Sequence, residues 1–125
     1  QWLERREEVR EVLCPMLPGS TGFTLWKRDF TGGCGLFSFV LASDDPDASG
    51  RVVDALDLFG IGYSWGGFES LVLPILPHDY RAVMGSPTRD TGGDIRPALR
   101  LSIGLEDPED LIADLAQALA GLETR

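Results

Sequence analysis

Residues Leu99-Arg100-Leu101-Ser102-Ile103-Gly104-Leu105 alternate apolar with polar or small positions, the period-two pattern of a strand with one buried face. Such a strand turns Leu99, Leu101, Ile103 and Leu105 toward a core and Arg100, Ser102 and Gly104 to the other side. Asp107-Pro108-Glu109-Asp110 follows. Asp suits a helix N-cap, Pro the first helical position and acids the first turn, so a helix is predicted here that carries Leu111, Ile112, Leu115, Leu119 and Leu122 inward.

The same order stands earlier in the chain. Residues 36–42 form an apolar run rich in aromatic and branched side chains, which reads as a buried strand. Asp45-Pro46-Asp47 then predicts a second capped helix, bearing Ala48, Val52, Val53, Ala55 and Leu56 toward the core. Between these two units, residues 58–61 and 68–73 read as further strands, with Pro74 and Pro77 closing the second.

Elsewhere the pattern is weaker. Residues 1–8 read as the end of a helix whose earlier turns lie outside the chain, so that the sequence looks like a cut fragment. Residues 9–13 read as extended, and 20–35 as a short helix or irregular segment around Phe23, Trp26 and Phe30. Residues 78–94 read as mostly loop, with a short ordered piece at 80–84. The sum is one domain over residues 1–125 of the α/β class, α+β in type: about four strands, mostly antiparallel, with helices on one face.

Composition narrows the function more than the fold. Twenty acids against 11 Lys and Arg give a net charge of −9, which argues against nucleic acid or an anionic membrane surface as partner. No apolar run approaches the roughly 20 residues that span a bilayer, and the N-terminus does not read as a signal peptide. Cys14 and Cys34 are too few for a disulfide framework or a zinc site and read as reduced thiols of a cytoplasmic protein.

Tyr63-Ser64-Trp65-Gly66-Gly67 sets a hydroxyl and an indole before a glycine pair, where the backbone can turn tightly or approach a ligand. Ser64 so placed either binds a ligand or caps a turn, and Tyr63 and Trp65 can simply pack. Arg100, on the open face of a rigid strand, is either solvated or grips a carboxylate with two parallel hydrogen bonds. His78 stands in a loop without catalytic company and reads as a surface residue. Lys27, the single lysine, sits among charges in Trp26-Lys27-Arg28-Asp29 and reads as a solvated ammonium. The acid pairs Asp44-Asp45 and Glu109-Asp110 are accounted for by helix starts, and no phosphate loop, dinucleotide fingerprint or metal cluster is present.

Three stretches together resemble the C-terminal domain of the cystathionine β-lyases: Gly62-Tyr63-Ser64-Trp65-Gly66-Gly67-Phe68-Glu69-Ser70-Leu71, residues 99–107, and Asp110-Leu111-Ile112-Ala113-Asp114-Leu115. Leu17-Pro18-Gly19-Ser20 and Trp26-Lys27-Arg28-Asp29-Phe30-Thr31-Gly32 fit the same place in that family, so the likeness covers nearly the whole chain. The resemblance implies the Cys/Met-metabolism group of fold-type-I pyridoxal-phosphate enzymes. The γ-lyases and γ-synthases are similar with a Ser-Leu-Gly-Gly core, and Trp65 in place of that leucine favours the β-lyase branch.

What the resemblance implies is a lyase that uses pyridoxal 5'-phosphate to remove an α-proton and expel a thiol from the β-carbon, turning cystathionine into homocysteine, pyruvate and ammonia. Arg100 matches the family arginine that binds the substrate α-carboxylate. Ser64 and Trp65 match the segment lining the cofactor and substrate pocket, with Tyr63 a weaker neighbour on the cofactor side. The family's Schiff-base lysine, pyridine-nitrogen aspartate and ring-stacking tyrosine belong to a large domain whose Ser-x-Thr-Lys pattern does not occur here. The cofactor is therefore expected only in the full-length protein, no catalytic residue or metal ligand in this chain, and the chain alone is expected to be inactive. The implied partners are an amino-acid substrate, the chain's own large domain and further copies in a dimer of dimers. Related γ-lyases or γ-synthases, a cysteine-conjugate β-lyase and a non-catalytic binding module that kept the fold are the alternatives.

Overall fold

The computed structural model describes residues 1–75 and 96–122. Five strands, β1 (Val9–Leu13), β2 (Leu36–Leu41), β3 (Gly60–Ile61), β4 (Leu71–Ile75) and β5 (Ala98–Ser102), form one sheet in the order β1-β2-β5-β4-β3. Every neighbouring pair is antiparallel except β3 with β4, which is parallel. The sheet thus has one strand more than the four expected, because residues 9–13 pair with β2 rather than running loose. The strands β2, β5 and β4 lie inside the sheet, where both edges have a neighbouring strand, and the short β1 and β3 form its edges.

Three helices are described: α1 (Phe23–Asp29), α2 (Ala48–Ala55) and α3 (Pro108–Leu119). α2 and α3 pack on one face of the sheet, where Val52, Val53, Leu111, Leu115 and Leu119 join Phe39, Leu41, Val72, Leu99 and Leu101 in the core. Cross-strand neighbours explain this clustering. Leu99 stands opposite Phe39, and Leu101 opposite both Phe37 and Val72, so one row of side chains from three strands meets the helices. α3 begins as its sequence dictates: Asp107 Oδ1 accepts the Glu109 N–H at 2.9 Å, with Pro108 in the first turn.

Several sequence expectations need correction. Residues 1–8 hold only a 3-10 turn at Leu3–Arg5, whose chain leaves in extended conformation at Arg6. Asp45 caps a turn one step ahead of α2: its Oδ1 takes the Asp47 N–H at 2.9 Å, and the helix starts at Ala48. Ala55 is exposed where a core position was expected, because α2 ends there and Leu56, in extended conformation, packs inward instead. The strand expected over 58–61 shrinks to two residues, and that over 68–73 starts at Leu71 because residues 68–70 are drawn off into other bonds. Pro74 lies inside β4 rather than ending it. β3 is only two residues long, pairing with Leu71 and Val72, so it makes no demand on an N–H at position 74. Leu105 is 83% exposed, because the strand stops at Ser102 and the chain turns at Gly104 before reaching it. Pro77, His78 and the pieces expected over 78–94 lie outside the described residues.

Candidate functional site

Arg100 occupies the middle of β5, with Ser38 of β2 on one side and Leu73 of β4 on the other. This row lies on the sheet face away from α2 and α3, since Leu99 and Leu101 on either side of it are sealed in the core. The period-two pattern therefore aims the guanidinium correctly. Its Nη2 donates to the Ser64 carbonyl oxygen at 2.9 Å, and its Cζ stands 6.0 Å from the centre of the Tyr63 ring. One cation thus gathers two residues 36 and 37 positions upstream.

Arginine carries five N–H donors in a fixed fork, and a single carbonyl engages one of them. The rest suit a planar anion. Tyr63 contributes the electron-rich face of its ring at the outer limit of a cation–π contact. A guanidinium held between a backbone oxygen and an aromatic face is oriented before any ligand arrives.

Ser64 uses its hydroxyl locally. Oγ accepts the Gly66 N–H at 3.2 Å and donates to the Gly66 carbonyl at 3.1 Å, so of the two readings of this side chain the described contacts show the turn. Gly66 closes that turn at φ +139, a conformation L side chains rarely adopt. Trp65 is 87% exposed and has no described contact with Arg100, so the structure brings together Arg100, Ser64 and Tyr63 but not the indole.

The residues that hold this loop in place were not singled out from the sequence. Ser70 is 1% exposed; its N–H donates to Glu106 Oε1 and its hydroxyl to Glu106 Oε2, each at 2.7 Å, while its Oγ accepts the Gly104 N–H at 2.8 Å. The Leu105 N–H adds a bond to the Phe68 carbonyl at 2.9 Å. Two donors from Ser70 hold the Glu106 carboxyl below the usual carboxylate range. The available signal was a serine at the head of an apolar run, Ser70-Leu71-Val72-Leu73, and an acid two positions after a glycine, Gly104-Leu105-Glu106. It is too common a pattern to stand out.

An apolar cavity of about 350 Å³ lies elsewhere, on the helix side of the sheet, lined among others by Trp2, Cys14, Cys34, Phe37, Leu111 and Leu115. None of Arg100, Ser64 and Trp65 borders it, so the candidate site is not this cavity and lies on the opposite face of the sheet. Both cysteines are free thiols, Cys14 buried and Cys34 exposed. Lys27 is exposed on α1, a helix with no buried residue, and no described contact joins it to Arg100 or the Ser64 loop. It does not fit the anchor that a pyridoxal cofactor needs. Among the described residues no group of His, Cys, Asp or Glu could hold a metal ion.

The site thus consists of a strand arginine facing the Tyr63–Gly67 loop on a small sheet backed by two helices. The chain belongs to the Cys/Met metabolism PLP-dependent enzymes, whose family model matches residues 1–120. It is similar to the cystathionine β-lyase of Escherichia coli, 45% identical over 121 residues that make up 96% of this chain and 30% of that protein. It is also similar to an L-alanine/L-glutamate racemase of Wolbachia pipientis, 44% identical over 98% of this chain and 29% of that one. Among solved structures, the O-acetylhomoserine sulfhydrylase of Wolinella succinogenes matches with a TM-score of 0.73 and 31% identity over 94% of this chain and 30% of its own. The chain thus spans about three-tenths of the length of the relatives it matches.

Proposed function

We propose that this chain is the C-terminal domain of a carbon–sulfur lyase of the cystathionine β-lyase branch, and that its task is to bind the substrate α-carboxylate through Arg100. The observation that carries the reading is the pre-oriented guanidinium: half-buried on a rigid central strand, bonded to the Ser64 carbonyl at 2.9 Å, on the face away from the core. When bound in the complete protein, pyridoxal phosphate supplies the electron sink for cleavage at the α- and β-carbons. This chain supplies position. A two-pronged bond to the carboxylate fixes the rotation of the amino acid about its Cα, so that the bond to be broken faces the reactive centre. Tyr63 offers an aromatic face beside the arginine, which limits water on that side of the ion pair and strengthens it.

The likeness to a racemase and to a sulfhydrylase favours a coarser reading alongside this one. Every such substrate is an amino acid with an α-carboxylate, so one clamp serves several reactions while the rest of the protein decides which occurs. Trp65 supports the β-lyase branch on the resemblance set out above. The test is the product formed from cystathionine by the complete protein: pyruvate supports β-elimination, 2-oxobutyrate a γ-lyase, and neither product would remove the lyase reading. For the 125-residue chain alone the expectation is no absorbance band of a lysine-bound cofactor on adding pyridoxal phosphate, since Lys27 is the only lysine and is solvated.

A further inference from the structure

A carboxylate clamp is only as specific as the geometry of its guanidinium, and that geometry depends on whatever fixes its protein partner. The partner is the Ser64 carbonyl. Ser64 belongs to a loop whose own turn, Ser64 to Gly66, is internal. Among the described residues, the bonds that tie this loop to the chain just after β5 converge on Ser70 and Phe68, and Glu106 is the charged group among them.

We propose that Glu106 is a positioning residue for the carboxylate site: by taking both Ser70 donors it sets the loop that presents the Ser64 carbonyl to Arg100, and so fixes the direction of the guanidinium. The proposal rests on the reading of Arg100 given above.

Three features set Glu106 apart from an ordinary surface acid. Its two oxygens each accept a bond of 2.7 Å from the same residue, so the carboxylate cannot rotate without losing one. Ser70 is sealed at 1% exposure, so water cannot replace the lost acceptor without entry into the fold. Gly104 closes the arrangement from the third side: its N–H donates to Ser70 Oγ, leaving the serine proton directed to Glu106. Arg100 and Glu106 are thus six residues apart on one run of chain, and both hold the same loop, one at Ser64 and the other at Ser70.

A glutamine at 106 keeps the shape but offers one acceptor oxygen where two are needed, and its amide N–H₂ meets a hydroxyl whose own proton then has no acceptor. In the complete protein, Glu106→Gln is expected to raise KM for the amino-acid substrate about 5- to 10-fold with kcat within about twofold. The decisive readout is the preference for a competitive α-amino-acid inhibitor over the matching amine that lacks the carboxylate. That preference should fall by the same factor, and the Glu106→Gln/Arg100→Lys double variant should show little loss beyond Arg100→Lys alone. Ser70→Ala, which keeps the backbone bond to Glu106, should move the same ratio in the same direction by less, and serves if Glu106→Gln does not fold. An unchanged ratio in both variants, beside a collapsed ratio in Arg100→Lys, overturns the positioning role and leaves the clamp intact. An unchanged ratio in Arg100→Lys overturns the clamp and the positioning role with it.

Discussion

A Cβ placed on Gly104 would overlap the carbonyl oxygen of Phe68 and lie 2.5 Å from the carbonyl carbon of Glu69. The two segments touch backbone to backbone, and neither can yield as the tip of a flexible side chain would. This contact brings the Ser64 loop onto the end of β5. Gly104→Ala is therefore expected to destabilise the protein by about 3 kcal/mol or more, at the upper end of overpacking costs. Thermal unfolding of the complete protein measures it, and a variant as stable as the parent would show that the segments can part freely.

Asp114 presents a different kind of constraint. It is buried at 6% exposure on α3, and its two oxygens accept the backbone N–H groups of Asp57 at 2.9 Å and Leu58 at 2.8 Å. The side chain thereby caps the chain leaving α2 and joins the two core helices. Asp114→Leu strands both donors and should cost about 2–4 kcal/mol, whereas Asp114→Asn keeps one acceptor and should cost roughly half as much. The ranking of the two variants in denaturant unfolding is the check; equal losses would contradict a hydrogen-bonding role.

Glu106 gives the pH dependence. Hydrogen bonds from the Ser70 N–H and hydroxyl favour its charged form, so its folded pKa lies below the unfolded value of about 4.3. A depressed folded pKa means the unfolded chain binds the proton first as pH falls. The stabilisation is whole above the unfolded value and is lost as pH drops through the folded one. The stability difference between the parent and Glu106→Gln should be constant at neutral pH and shrink below about pH 4. A difference independent of pH over that range would show that the carboxylate charge is not what Ser70 binds.

The alternation over 99–105 and the Asp-Pro helix starts were legible because each writes its own period or cap in a few adjacent residues. Leu99, Leu101, Val52, Leu111 and Leu115 take their core places on that basis alone. The aim of Arg100 followed from the same alternation. What could not be read was pairing at a distance. Residues 9–13 gain their place as β1 from β2, and the bond from Arg100 to a carbonyl joins positions 36 apart; a backbone acceptor leaves no mark in the sequence. Leu105 was misplaced for a related reason. The pattern continues through it, but the close approach of Gly104 to Phe68 ends the strand first. The Glu106–Ser70 pair went unseen because serine and glutamate are ordinary residues until the fold makes them neighbours.

A guanidinium that receives the substrate carboxylate as a two-pronged partner cannot be replaced by an ammonium without loss, and Arg100→Lys in the complete protein is the variant that shows it. A lysine keeps the charge but replaces the fork with a point, forfeiting one charge-assisted bond of about 1.5–3 kcal/mol. The expected result is a fall in kcat/KM of roughly 10- to 100-fold, carried mainly by KM, with the fold and cofactor content unchanged. Catalytic efficiency equal to that of the parent would contradict it.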